Sequence, residues 1–496
     1  MLFYKFHDSN QLSICVLYIQ ILHLIFILMN LRKPIIKTPL EGFAIFALVG
    51  PSLIWAAEYI GSGEVILATR TGAILGPAIL WSVVLGIFLK FWIGMSGANY
   101  TVRTGEGMID MFSRIPGPKN LVVWIVLIIQ FLSATISIGA IATAAGVFLN
   151  SMIPVSPALG GWIITIFCLI VVWSGTFNIL KIIMSVFVLF IVIGVMYVAF
   201  SVLPEIDNLK DVFLFKIPVV PDWALNYEGV SKNPWREILP LLGWGAGGFA
   251  SQVWYSYWVL GAGYGAASGR KFGEPADIER LKLLTVNDAK KIKGWGKVVN
   301  VDATVGMFIG VLVTSGFLIA GAGILNNQQL APEGVKVATT LATIFSSKWG
   351  TGGGFIFMFS ATIALVSTQI GQLAGWPRLL ADAARICFPA IPNKFKWKAQ
   401  YHAFLLFFFL SNMIIVHTFG LKPVLLVQMS AVLDGLILTP LQAIWIAVGL
   451  YIVLPKMYQP DVAKILKPHW IYLVGLIAAF IVFGYFCVFQ IPKIIF

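Results

Sequence analysis

Charged residues are scarce in this chain. Only 11% of its 496 residues are Asp, Glu, Lys or Arg, against 59% hydrophobic ones, and the mean hydropathy is +0.90. Soluble proteins average roughly 25% charged residues. A globule of this size could not cover its surface with so few solvated groups, which excludes a water-soluble enzyme or nucleic-acid binder and makes lipid the solvent. Cysteine is also rare. Cys15, Cys168, Cys387 and Cys487 lie far apart, so they form neither a CxxC pair nor a disulfide framework and read as small core residues. The five histidines are dispersed and none is followed by Glu, which excludes the HExxH zinc-protease signature. With no nucleophile beside a base and no His/Asp cluster, the sequence does not read as an enzyme and implies no cofactor.

What the chain has in abundance is apolar length. A transmembrane helix needs ~20 mainly apolar residues. Uncharged runs cover 121–149, 157–180, 182–203, 238–263, 303–332, 349–377, 399–421, 435–455 and 468–492, while 43–96 is interrupted by Glu58, Glu64, Arg70 and Lys90. Splitting 43–96 at Gly76-Pro77 predicts eleven spans, at about 43–71, 77–97, 121–150, 158–175, 179–203, 238–263, 300–325, 353–375, 402–420, 424–454 and 470–491. A further apolar run, 12–29, supports two readings: a twelfth helix, or a segment upstream of a true start at Met29. It lacks the small-residue cleavage site of a signal peptide.

The net charge of +13 finds its explanation in topology. With Arg32 and Lys33 placed in the cytoplasm and the sides alternating after each helix, most of the 34 Lys and Arg residues fall on the cytoplasmic side, and Arg70 and Lys90 lie within spans. The positive-inside rule thus accounts for the basic balance without a nucleic-acid partner. The expected organisation is an all-α polytopic protein of the cytoplasmic membrane. It comprises an N-terminal segment, 1–35, and one transmembrane domain, 36–496, with repeats at about 40–203 and 236–454 and a last helix at 470–491.

Broken helices are tolerated in lipid only where they face protein or a water-filled cavity, so glycine clusters inside spans are informative. Gly61-Ser62-Gly63 in the first helix and Gly243-Trp244-Gly245-Ala246-Gly247-Gly248 in the sixth fall at corresponding places in two five-helix halves. That is the pattern of an inverted-repeat transporter with its site at paired helix breaks. Glycines also serve close helix packing, the competing reading for the second cluster. Glu58 and Glu64 flank the first break, and a charge at mid-membrane costs ~2.5–3.5 kcal/mol on insertion scales. On a continuous helix they would point about 240° apart; an unwound Gly61-Ser62-Gly63 lets both turn towards one cavity.

Glu64 at the start of the second half-helix is the leading cation ligand, and capping of that half-helix is its alternative role. Glu58 fits a ligand, a proton relay or a structural acid equally well. Ser251 and Gln252 could add neutral oxygens, with freed carbonyls near Gly61, Gly245 and Gly248. Asp434, Gln428, Gln369 and Gln372 are pathway or relay candidates. Lys90 is expected to snorkel to the cytoplasmic side, and Arg70 to end the first helix near the outer interface.

Gly50-Pro51, Tyr59-Ile60-Gly61-Ser62-Gly63-Glu64, Thr71-Gly72-Ala73, Gly76 and Leu80-Trp81 resemble the first two helices of the Nramp (natural resistance-associated macrophage protein) divalent metal transporters. The resemblance implies a LeuT-type fold of 5+5 inverted-repeat helices plus one or two more, and uptake of manganese or iron by symport with protons. The motifs themselves are substituted. Where the family carries Asp-Pro-Gly-Asn, this chain has Gly61-Ser62-Gly63-Glu64, and the family's Met-Pro-His falls near Gly248-Phe249-Ala250. One carboxylate is lost and another gained, and the thioether is missing, a change that favours a harder ion such as Mg²⁺ or Mn²⁺ over softer metals.

The expected function is therefore secondary active transport of divalent metal ions, with the metal as substrate, protons as the implied co-substrate and the bilayer as partner. The oligomeric state is left open, and a monomer would suffice. An alternative keeps the fold but carries an organic cation or amino acid, with Trp244, Trp254, Tyr255, Tyr257 and Trp258 as an aromatic box. These aromatics also fit an interfacial belt. A non-transporting receptor or a membrane enzyme has less to recommend it.

Overall fold

In a computed structural model, residues 36–203, 209–213, 215–419 and 422–495 are described. The 12–29 run and Cys15 lie outside them. The described residues are helical and contain no β-strand. Among the described residues eight helices are long and apolar enough to cross a membrane, and Pro157–Trp173 is a slightly shorter apolar one. Two more crossings are each made of two half-helices, giving the eleven expected.

The first is α1a (Pro51–Tyr59) and α1b (Gly63–Ala68 followed by Thr69–Leu75). Then come α2 (Leu80–Thr104), α3 (Leu121–Asn150), α4 (Pro157–Trp173) and α5 (Phe177–Val202). The second set opens with the broken pair α6a (Trp235–Trp244) and α6b (Phe249–Ala262). It continues with α7 (Val286–Ala320), α8 (Val337–Cys387), α9 (Trp397–Phe419), α10a (Pro423–Gly435) and α10b (Thr439–Val448), and α11 (Trp470–Tyr485) follows.

Three expectations are corrected. The span expected at 424–454 is broken after Gly435, where Leu436–Leu438 turn before Thr439-Pro440 restarts the helix with Pro at its first turn. α7 begins at Val286, well before 300, because Thr285 and Asp288 form a capping box that starts the helix in the loop. α8 runs from Val337 to Cys387, longer at both ends than 353–375. Its apolar crossing is confined to Phe357–Cys387.

Helices α3, α5 and α8 pack against the broken ones, α4 and α9 lie outside them against α3 and α8, and α2 and α7 pack against each other and against α6b and α1a respectively. Lipid-facing side chains such as Ile182, Phe190, Ile193 and Ile414 are exposed and apolar, whereas Ala, Gly and Ser recur between the larger buried residues of the faces turned inwards. Without a hydrophobic drive between helices in lipid, small residues that permit close approach are what hold such a bundle together. Gly435 of α10a meets the Gly243 backbone of α6a so closely that no Cβ could fit. Of the three described cysteines, Cys168 and Cys387 are buried and Cys487 is half-buried, and all are free thiols.

Candidate functional site

The two glycine clusters unwind where expected and face each other. Helix α1a ends at Ile60 (ψ 88°), and the chain re-enters a helix at Gly63. In the sixth crossing the turn is made by Ala246 (φ 59°) and Gly247 (φ 73°), left-handed values that glycine adopts without strain. Trp244, the last residue of α6a, packs so closely on Gly63 that a Cβ there would collide with the indole. Thr368 of α8 closes over Gly61 in the same way. The two breaks and α8 therefore form one buried junction.

Glu64 is fully buried and starts α1b. Its Oε2 accepts the Gly61 N–H at 3.0 Å, satisfying a backbone donor that unwinding freed. Its Oε1 has no hydrogen-bond partner among the described residues. Around the junction Ser62 Oγ, Thr368 Oγ1, Gln372 Oε1 and Gln252 Oε1 are also buried without partners, and both ends of the Gln369 amide share that condition. Native interiors seldom leave such groups unpaired unless water or an ion completes them.

Glu58 is held differently. Its Oε2 accepts from Ser251 Oγ at 2.6 Å, and Ser251 Oγ accepts the Trp55 indole N–H at 3.0 Å, while Gly371 of α8 packs against the acid's methylenes. Asp434 ends α10a beside Gly248, which leaves no room for a Cβ, and its Oδ1 accepts the Ala250 N–H at 3.3 Å, capping α6b. Glu58 lies within electrostatic reach of both Asp434 and Glu64. No group of three or more His, Cys, Asp or Glu side chains among the described residues is placed to hold a metal ion. An ion here would need neutral oxygens as well as carboxylates.

Lys90 overturns its expectation. It does not snorkel: it is fully buried, and its ammonium donates to the Gly243 carbonyl and, at 2.7 Å, to the Gly247 carbonyl. These are the carbonyls freed at the end of α6a, so a tethered cation already sits where helix-end oxygens would otherwise face a ligand. Gln252 Nε2 likewise bonds to Ala246 O at 2.7 Å. Three carboxylates (Glu58, Glu64, Asp434) against one ammonium leave two formal negative charges at the junction.

Above and below, ionic locks seal the breaks. Arg70 is 1% exposed; its Nε and Nη2 meet the two Glu237 oxygens at 3.0 and 3.2 Å, and it also donates to Pro332 O (2.5 Å) and Glu228 O (3.2 Å). This ties α1b to α6a and two loops on the side assigned as outer. Gln428 belongs to this lock, donating to Glu237 at 3.4 Å, and not to the helix breaks. On the other side Asp302 of α7 accepts the Gly50 and Ser52 N–H groups at 2.8 and 2.9 Å and the Tyr255 hydroxyl at 2.8 Å, clamping α1a and α6b together. A second lock beneath it joins Arg385 to Asp110 (2.6 Å) and Asp382 (2.9 Å), and Tyr257 also donates to Asp382 (2.8 Å). Desolvation in the short helix Met108–Ser113 pushes the Asp110 carboxyl up to about 7, against the opposing pull of Arg385.

The aromatic residues of α6b are thus interior anchors and form no interfacial belt: Tyr255 and Tyr257 hold acids, and Trp254 packs edge-on against Trp376. Sequence reasoning missed Asp302, Glu237 and Asp382 as lock members. Each is a lone acid at the edge of an apolar run, and that placement was the available signal.

Known proteins place this architecture. The model of the "natural resistance-associated macrophage protein-like" family matches residues 52–223. The chain is 23% identical over 336 residues to the divalent metal cation transporter MntH of Verminephrobacter eiseniae, covering 66% of each chain. It is 26% identical over 110 residues to the uncharacterized protein PM0681 of Pasteurella multocida, 22% of this chain and 25% of that one. It therefore spans a quarter of the length of one curated relative and 66% of the other. The crystal structure of an Eremococcus coleocola manganese transporter superposes with a TM-score of 0.65 at 14% identity, covering 91% of this chain and 89% of that one. The molecule is a multi-pass integral membrane protein of the LeuT-type inverted-repeat fold. Its likeness to Nramp proteins extends over residues 52–223 for the family model and over 66% of the chain for the divalent metal cation transporter.

Proposed function

We propose that this protein is a secondary active transporter of divalent metal ions, residues 36–496 forming one transport unit in the cytoplasmic membrane. The observation that carries the reading is Glu64: a fully buried carboxylate at a helix break, with one oxygen unpaired. A mobile divalent cation would take Glu64 Oε1, with Ser62 Oγ and carbonyls of the Gly61–Gly63 break as further oxygens. It would also neutralise the two formal charges that Lys90 leaves uncompensated. These donors are all hard oxygens, and no thioether accompanies them, which favours Mg²⁺ or Mn²⁺ over softer ions. Glu58, bonded through Ser251 and close to Asp434, suits a proton relay better than a primary ligand.

Alternating access would use the locks on the two sides. Releasing Arg70–Glu237 would free α1b and α6a outwards, and releasing Asp302 would free α1a and α6b inwards. The organic-substrate reading has weaker support, because Tyr255, Tyr257 and Trp254 are already engaged and leave no open aromatic box. The test is a flux panel in proteoliposomes (Mg²⁺, Mn²⁺, Fe²⁺, Ca²⁺, choline and amino acids) with and without a pH gradient. Metal flux is expected. Flux of organic cations with none of any metal would refute the reading.

A further inference from the structure

Away from the helix breaks, at the ends of α2 and α11 and beside residues 293–300 of α7, lies a cavity of about 430 Å³. Its charged lining is of one sign: Arg103, Lys293, Lys297 and Lys467 contribute, and no carboxylate does. Lys293, Lys297 and Lys467 are exposed and have no ion-pair partner among the described residues. Arg103 is buried and rigid, with Nε on Leu466 O at 3.1 Å and Nη1 on the Asn99 side chain at 2.7 Å. Its Nη2 has no hydrogen bond among the described residues and lies beside Gly296 in the cavity wall. Asn300 and Tyr472, bonded to each other at 2.9 Å, form the polar floor.

The cavity opens towards lipid. On α7 the positions four apart after Asn300 are Thr304, Phe308 and Leu312, so the helix face that carries the polar lining continues as an exposed apolar one. Phe308 is 64% exposed. On α11, Trp470 (65% exposed), Val474, Ile477 and Ile481 present a parallel apolar strip. Helix α2 packs against both α7 and α11 and supplies exposed Phe88 between them. A cationic pocket at the end of an apolar groove matches a molecule with an anionic head and acyl tails. All its basic residues lie in segments that the positive-inside rule assigns to the cytoplasm, where basic pockets between transmembrane helices take anionic head groups.

We infer that this pocket is a binding site for an anionic phospholipid of the cytoplasmic leaflet, its phosphate held by Arg103 and the three lysines and its chains lying along α7 and α11. Native mass spectrometry of the purified full chain, with dioleoyl phosphatidylglycerol or phosphatidylcholine added, tests it. Retention of phosphatidylglycerol over phosphatidylcholine is expected. The triple variant K293Q/K297Q/K467Q should weaken that retention by about 100-fold, since each basic group near a membrane surface contributes roughly a five-fold factor.

A control triple, K394Q/K396Q/K398Q, removes equal charge from exposed positions elsewhere on the same side and should leave retention unchanged. Equal loss in both triples would reduce the effect to general attraction and overturn the site. If inorganic phosphate displaced phosphatidylglycerol and stabilised the protein to the same extent, the pocket would be a small-anion site and the lipid assignment would fail.

Discussion

Replacing Glu237 by Gln separates locking from folding. Arg70 would stay buried, at 1% exposure, with its two carboxylate contacts at 3.0 and 3.2 Å exchanged for a neutral amide. Removing one partner of a buried pair costs about 3–5 kcal/mol, because the remaining charge is left uncompensated. A state in which α1b and α6a part lets water reach Arg70 and escapes this cost. The closed state should therefore lose weight against the outward-open one by a factor of about a hundred to a few thousand, at 1.36 kcal/mol per tenfold.

The assay is labelling of a cysteine placed at Thr71, a buried neighbour whose hydroxyl donates to Glu237 O at 3.3 Å. The reagent is a membrane-impermeant maleimide applied from outside, with Cys15, Cys168, Cys387 and Cys487 replaced by Ser as background. E237Q should speed labelling at least a hundred-fold. Unchanged labelling with a lowered melting temperature would mean that the pair only holds the fold, and the reasoning about a lock would be refuted. A matched apolar pair, R70M/E237L, should recover stability, since well-packed hydrophobic replacements of buried ion pairs are often neutral or better.

Further outcomes follow from the junction. G63A places a methyl within the Trp244 ring and should lower thermal stability by about 1–3 kcal/mol through overpacking; adding W244A should relieve the clash, read by melting of the purified protein. D302N weakens charge-assisted bonds to Gly50 and Ser52, each worth about 1.5–3 kcal/mol, and should increase accessibility of α1a from the cytoplasmic side, measured by hydrogen exchange of residues 50–55. K90Q leaves the Gly243 and Gly247 carbonyls without their ammonium. Its melting temperature without divalent ions should fall, and millimolar Mg²⁺ or Mn²⁺ should restore more of it than the same ions add to the unmutated protein.

Much of this was legible in the sequence because lipid imposes few solutions. Apolar runs gave the crossings, and glycines clustered at Gly61–Gly63 and Gly243–Gly248 marked the two breaks. The third break was hidden, since Gly435 and Pro440 are single breakers on either side of an unbroken apolar stretch, Leu436-Ile437-Leu438. The length of α8 was obscured by the Thr, Ser and Lys residues of 337–350, which read as a loop. Lys90 was misplaced for a different reason. A long basic side chain within reach of a helix end ordinarily snorkels, and only the fold brings it to carbonyls more than 150 residues away. Asp302 illustrates the same limit: its partners Gly50 and Ser52 are some 250 residues distant.

The central claim is that Glu64 carries the ion. Its most direct measurement is Mg²⁺ and Mn²⁺ uptake into proteoliposomes by the Glu64→Gln protein beside the unmutated one, with reconstitution and melting temperature matched. E64Q keeps the size and the acceptor for the Gly61 N–H but removes the charge. Uptake of both ions should fall to the level of empty vesicles while the protein stays folded; uptake preserved at the unmutated rate would contradict the account.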